Sequence, residues 1–331
     1  MLRLPAHLPS ARCFVLASRL FKRRFAVHGG PLPIISPTSW TEVRHPHWVF
    51  SVAWSPCGAK LATGCRDQQL RIIDAATGKV ELTVPHGNWI ISAAWSPCGR
   101  WVATGCDDEK LRIVDASSGN IQTEVKHPGD VFSAAWSPCG TRIATGCVDG
   151  HLRVISTCGK VEMEVPHGNW VRSVSWSPCG KRLASGCMDG HLRVLTMPAS
   201  DRQRSELEAQ VFLSAKGLWS IAWSPCGQRI ATGSMDGWLG FVDTELLTLD
   251  AEAQISDWVW SVSWSACSRR LATGSGDGRL RVVDAASLAI HTDVLHGGPV
   301  LSAAYAPHGQ NAERIATGCG DRKLRIVNVA G

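Results

Sequence analysis

Five segments of this 331-residue chain carry the residue types of a hydrolytic triad in the same order: His45, Thr63 and Asp67; His86, Thr104 and Asp108; His127, Thr145 and Asp149; His167, Ser185 and Asp189; His296, Thr317 and Asp321. A single set of this kind could activate a hydroxyl through an imidazole that a carboxylate orients. Five near-identical sets argue for something else. Catalysis needs its constellation once, whereas a network that satisfies buried polar groups in a repeated unit must recur with that unit. A structural role is therefore expected, with an enzyme that uses one set, or a channel between the units, as the competing reading.

The elements that would hold these residues follow from an internal repeat. The segment WSPCG stands at Trp54, Trp95, Trp136, Trp176 and Trp223, becomes WSACS at Trp264 and YAPHG at Tyr305. The anchors are 41, 41, 40, 47, 41 and 41 residues apart. A period of about 40 to 45 residues with turn signals inside each unit reads as four short strands, the blade of a β-propeller. Within one unit, Val171 to Trp176 alternates as a strand does, SPCG turns the chain, Arg182 to Cys187 is a second strand, MDG turns again, and HLRVLT is a third. An outer strand such as Lys79 to Val84 completes the unit. The seventh unit ends after its third strand, so its fourth must come from Ser39 to Val43, just ahead of the first unit. Sharing a blade between the two ends leaves no open sheet edge.

The units resemble WD40 repeats over roughly residues 39–331. A His lies nine positions before the anchor in five units. A Ser or Thr lies on the second strand in all seven, Thr232 and Thr273 included, and an Asp in the next turn in all seven, Asp236 and Asp277 included. The third-strand Trp that names the family is replaced throughout, by Ile73, Val114, Ile155, Leu195, Val242, Val283 and Val327. The family's polar chain runs from Asp to His to Ser or Thr to that indole, so the resemblance implies a triad ending at the hydroxyl. Trp takes over the first-strand position usually held by Phe. Each buried Trp covers about 150–250 Å², worth on the order of 4–6 kcal/mol. The expected fold is all-β: a seven-bladed WD40-like propeller closed by the N-terminal strand, behind a separate leader of residues 1–38.

Cysteines and tryptophans are over-represented, 13 and 15 respectively. Eleven cysteines sit at two repeated positions: Cys57, Cys98, Cys139, Cys179, Cys226 and Cys267 in the first turn, and Cys65, Cys106, Cys147, Cys187 and Cys319 ending the second strand. Packed sheets about 10 Å apart keep equivalent cysteines beyond the roughly 7 Å reach of a disulfide. The thiols read as reduced, hence intracellular. No metal-ligand spacing or cofactor motif is present, so neither is expected.

Six tryptophans are anchors. Six more precede them: Trp48, Trp89, Trp170 and Trp258 by six residues, Trp219 and Trp260 by four. The resemblance places these positions on the rim of the central channel, joined by Phe50, Ile91, Phe132, Leu301, Val148, Met188 and Met235, with Arg66, Asp107, Asp130 and Arg172 as charged exceptions. Six half-exposed indoles would show about 450–750 Å² of aromatic surface, against about 300–600 Å² for the largest apolar patch of a typical monomer. A peptide or helix of another protein is the fitting ligand. The alternative is that the rings cap the blade tops as satellite core.

Charge narrows the partner. Residues 1–38 carry Arg3, Arg12, Arg19, Lys22, Arg23 and Arg24 and no acid, while the remainder balances 28 bases against 28 acids. A neutral body lacks the basic footprint of nucleic-acid binding, stacked single-stranded RNA included. No apolar run is long enough to span a membrane. The leader, if helical, opposes Arg12, Arg19 and Arg23 to Phe14, Phe21 and Phe25, as mitochondrial transit peptides do. An anionic membrane surface or a disordered extension are its other readings. The longer fourth unit inserts Met197 to Ala209, and the seventh inserts Asn311 to Glu313, on the rim opposite the aromatics. Together these readings describe a cytoplasmic, or alternatively mitochondrial, non-enzymatic interaction scaffold. It is monomeric by itself and binds other proteins within a multiprotein complex.

Overall fold

The computed structural model of the chain describes residues 40–197, 206–307 and 313–329. The leader lies outside them, as do residues 198–205 of the fourth-unit insertion and 311–312 of the seventh. The described residues form 28 strands in seven four-stranded antiparallel sheets. The seventh sheet takes its outer strand from the start of the fold: Trp40–Arg44 pairs with Lys323–Asn328, Trp40 opposite Val327 and Arg44 opposite Lys323. The closing strand is thus paired from Trp40 on, Ser39 lying outside the described residues. The end of the fourth-unit insertion is strand rather than loop, because Glu206–Phe212 pairs along His191–Thr196.

In blade 3 the inner strand Val131–Trp136 alternates in burial, the middle strands Arg142–Cys147 and His151–Ser156 are almost wholly buried, and the outer strand Val161–Pro166 faces solvent. The core lies between blades, where Ala144, Leu152 and Val154 pack against Val171, Val174, Trp176, Leu183 and Leu195 of blade 4. The sheets approach closely because the second strand ends in glycine: a Cβ on Gly146 would stand 2.6 Å from the Val171 carbonyl oxygen.

Hydrogen bonds cross the same gap. Every inner strand carries a register shift ahead of a serine, and that serine's hydroxyl accepts the backbone N–H of the following blade. Ser51 takes Ala93 at 3.0 Å, Ser92 takes Ala134 at 3.1 Å, Ser133 takes Val174 at 3.2 Å and Ser302 takes Val52 at 3.1 Å. Ser173, Ser220 and Ser261 complete the ring. The anchor indoles work in the opposite direction. Trp95 Nε1 donates to the Ala53 carbonyl at 3.1 Å and Trp54 Nε1 to that of Ala304 at 3.0 Å, with Trp136, Trp176 and Trp264 alike. Trp223 Nε1 and the Tyr305 hydroxyl are buried without such a partner among the described residues.

The polar sets differ from the expected Asp–His–hydroxyl triad. His Nε2 meets the second-strand hydroxyl in all five: His45–Thr63 at 3.1 Å, His86–Thr104 at 2.9 Å, His127–Thr145 at 3.1 Å, His167–Ser185 at 2.7 Å and His296–Thr317 at 2.9 Å. Nδ1, however, faces the carbonyl of the residue two earlier, at 3.2 Å in each. A carbonyl only accepts, so Nδ1 carries the proton and Nε2 accepts from the hydroxyl. The carboxylates of Asp67, Asp108, Asp149, Asp189 and Asp321 go instead to an arginine four residues on. Arg71 grips Asp67 at 3.1 and 2.5 Å, Arg112 grips Asp108 at 3.0 and 2.6 Å, and Arg153, Arg193 and Arg325 do likewise. With the guanidinium holding the carboxylate and the strand carbonyl holding Nδ1, nothing is left to join Asp to His. In units without the His, the Thr232 and Thr273 hydroxyls turn to third-strand carbonyls.

The cysteines divide by position. Those ending the second strand are buried, and each thiol donates to a carbonyl of the preceding turn, as Cys65 does to His47 and Cys319 to Gly298. Those in the first turn are exposed, beside the hydroxyl of the turn's serine. Cys139 alone among them also has a threonine hydroxyl, Thr141 at 3.0 Å. The Ser137 and Thr141 hydroxyls together lower its thiol pKa to about 7.

Three outcomes follow from this architecture. Burial lowers the pKa of each of the five histidines from 6.5 to about 4. The unfolded chain takes up protons that the fold refuses, so their contribution is complete above pH 6.5 and falls away as pH drops toward 4. Denaturant midpoints should decline from pH 7.5 to pH 5.5 by the equivalent of about 1 kcal/mol per histidine, and equal midpoints would refute this. Ser92→Ala leaves the Ala134 N–H without its acceptor and should cost about 1–3 kcal/mol in urea unfolding. Iodoacetamide at pH 7 should alkylate Cys139 ahead of Cys57 and Cys179, as peptide mass mapping would show.

Candidate partner-binding face

The aromatic residues ahead of the anchors sit where each outer strand turns into the next inner strand. Their backbone is clamped by two local bonds. The carbonyls of Trp48, Trp89, Trp170 and Trp258 accept the N–H of Arg66, Asp107, Met188 and Gly276, the residue before each turn Asp, at 2.9 Å. The side chain of the preceding residue accepts the indole residue's own N–H, Asn88 for Trp89 at 2.9 Å and Asn169 for Trp170 at 2.8 Å. Two loops of one blade are thereby locked side by side, and the inner-strand position two residues on points into the channel mouth beside them.

A cavity of about 550 Å³ opens there. Trp48, Phe50, Trp89, Ile91, Phe132, Arg172, Trp219, Trp258, Trp260 and Leu301 all line it, with Asp107, Pro299 and a circle of inner-strand serines. Trp170, Met188 and Met235 lie outside this lining. Trp170 stacks on Phe132 with centroids 5.8 Å apart, and Met188 packs on Gly217. Trp48, Trp170 and Trp258 keep 39–45 % of their surface exposed, whereas Trp89, Trp219 and Trp260 are half-buried. The rings are thus neither fully free nor a closed satellite core.

They form two arcs. Trp48, Phe50 and Trp89 make the first, with the Arg66 guanidinium 5.2 Å from the Trp48 ring and 4.3 Å from that of Trp89. The second runs from Trp170 through Phe132 to Trp219, Trp260 and Trp258. Arg172 bridges it, its guanidinium carbon 3.9 Å from the Phe132 centroid and 3.6 Å from that of Trp219. Burial lowers the pKa of Arg172 to about 9, against the opposing influence of Asp130. Between the arcs, Asp130 stands beside Asp107, and burial first, then this neighbouring carboxyl, raise Asp130 to about 6.

Elsewhere Asp149, His151 and Glu164 bring ligand-type atoms within 4.8 Å of one another. The Arg153 guanidinium already donates to both carboxylates there, which makes the group an ion-pair cluster. Sequence reasoning overlooked the serine ring, the third-strand arginines and the asparagines that brace Trp89 and Trp170. The serine three residues before every anchor was a legible signal, as was the Arg four residues after the turn Asp in six units.

The family model described as "WD domain, G-beta repeat" matches residues 40–74, 78–115, 119–156, 160–195, 207–241, 244–284 and 289–328. No curated protein matches the chain. None of the described helices is long and apolar enough to cross a membrane, the fold being strands throughout. Seven matched repeats, each running from the outer strand of one blade through the three inner strands of the next around one closed ring, make the chain a member of the WD40 repeat family.

Proposed function

We propose that this chain is a rigid, non-enzymatic scaffold that holds a segment of another protein on its aromatic face. WD40 propellers are commonly protein-interaction scaffolds. The observation that carries the reading is the cavity of about 550 Å³ ringed by indoles that stay partly exposed. Tryptophan is the residue most enriched among interface hot spots, and these rings are held by backbone bonds that leave little entropy to lose on binding. A peptide in extended or helical form suits a mouth of this size better than a flat protein surface does. The repeated histidines support the same reading, because burial keeps them near pKa 4 with both nitrogens engaged, far from the value near neutrality that suits a general base. An intracellular setting is part of the same reading, and the twelve described cysteines standing as free thiols support it.

Trp89→Ala combined with Trp170→Ala should abolish capture of the partners that the parent chain retains from a lysate, while circular dichroism and melting temperature stay close to the parent's. Undiminished capture by the double variant places the interface elsewhere.

A further inference from the structure

The channel mouth holds an arginine that no carboxylate of the described residues grips. Six arginines on the third strands, Arg71, Arg112, Arg153, Arg193, Arg281 and Arg325, are each paired to the Asp four residues before them. Arg172 is treated differently. It lies on the inner strand Val171–Trp176 and lines the cavity, its guanidinium carbon 3.9 Å from the Phe132 ring centroid and 3.6 Å from that of Trp219. Among the described residues it makes no hydrogen bond or ion pair, and its Nε is buried without an acceptor. Crowded by two aromatic rings, the guanidinium keeps its planar fork of donors for the cavity, and such a fork grips a carboxylate in two parallel bonds. A buried charge left unpaired is strongly unfavourable, and an anion supplied by a ligand removes that penalty.

We propose that the edge of Arg172 receives one carboxylate side chain, an Asp or Glu of the bound partner segment, with apolar residues on either side lying against Trp219, Trp258 and Trp260. The proposal rests on the partner-face reading and names what that face selects. A single negative charge fits better than a phosphate. Asp107 lines the same cavity, so a dianion would enter against an existing negative charge. A cationic side chain would meet both Arg172 and Arg66. The indoles supply contact area and the guanidinium supplies register, so the acid decides which segment binds and where along it.

The test selects binders from a phage library of random twelve-residue peptides on the immobilised full chain, then measures the enriched peptides by calorimetry. Enriched sequences should share one Asp or Glu at a fixed position between apolar residues. Changing that acid to Asn or Gln should weaken binding at least tenfold. Arg172→Met should weaken it equally while keeping or raising the melting temperature, since it removes an unpaired buried charge and retains the stacking. Arg172→Lys, which keeps the charge and loses the planar fork, should fall between. Enriched peptides that require Trp89 and Trp170 yet lack an acid, carry a base instead, or bind Arg172→Met unchanged overturn the carboxylate inference and leave the partner face standing. Tighter binding of a phosphoserine in place of the acid overturns the choice of a single charge. Enriched peptides indifferent to Trp89→Ala and Trp170→Ala overturn both readings.

Discussion

Everything in this molecule depends on how one blade grips the next across a gap narrow enough to exclude a Cβ. An inner-strand serine accepts a backbone N–H from the following blade, and an anchor indole in that blade donates back to a carbonyl. A sheet edge would ordinarily leave such groups to water or to another chain. Here the last serine, Ser302, meets the first blade at Val52, and Trp54 reaches back to Ala304, so the circle of bonds has no end. Glycine at the second-strand position is the condition for this contact, because Val171 approaches Gly146 where any side chain would collide. Rigidity at the binding face follows from it, since loops rooted in interlocked sheets have few alternative arrangements.

Loss of the third-strand Trp is absorbed by a different division of the polar groups. In place of one chain from Asp through His to an indole, two short networks stand side by side. The histidine bridges its own strand carbonyl and a second-strand hydroxyl, which staples the turn to the blade. The aspartate is held by a guanidinium. For Asp67 burial by itself would raise the carboxyl pKa, and the Arg71 and Cys65 hydrogen bonds outweigh it, so the group stays below the ordinary carboxylate range. Most polar atoms of the two networks find a partner this way, which lowers the cost of holding them under a blade surface, although Asp321 Oδ1 and one Nη of Arg153 and of Arg325 stay buried without one among the described residues. The vacated indole position is filled by Ile, Val or Leu buried in the inter-blade core.

The face around the channel inherits its order from the same scaffold. Carbonyls of the rim tryptophans are fastened to the neighbouring loop, so the indoles differ in exposure mainly by what stacks on them: Arg66 over Trp89, Arg172 over Trp219, nothing comparable over Trp170 beyond Phe132. Neutral overall, the ring still carries a local pattern of two stacked cations and two neighbouring carboxyls, Asp107 and Asp130. That pattern, more than hydrophobic area, gives the site a means of choosing between partners.

The period of WSPCG, the alternation within each unit and the truncated seventh repeat made the blade count and the closing strand legible in the chain itself, because a blade is a local object read within about 40 residues. The rim tryptophans were legible too, through their constant offset from the anchors. Pairing choices were not. Asp149 lies 15 residues before Glu164 and four before Arg153, and only the antiparallel register brings the guanidinium between them and leaves His127 to its hydroxyl. In the same way, residues 132, 172 and 219 belong to three different blades, and their stacking is fixed by the curvature of the ring rather than by any spacing along the sequence. Local periodicity decided what the units are. Closure in three dimensions decided which charges were answered inside the protein and which one, Arg172, was left facing the channel.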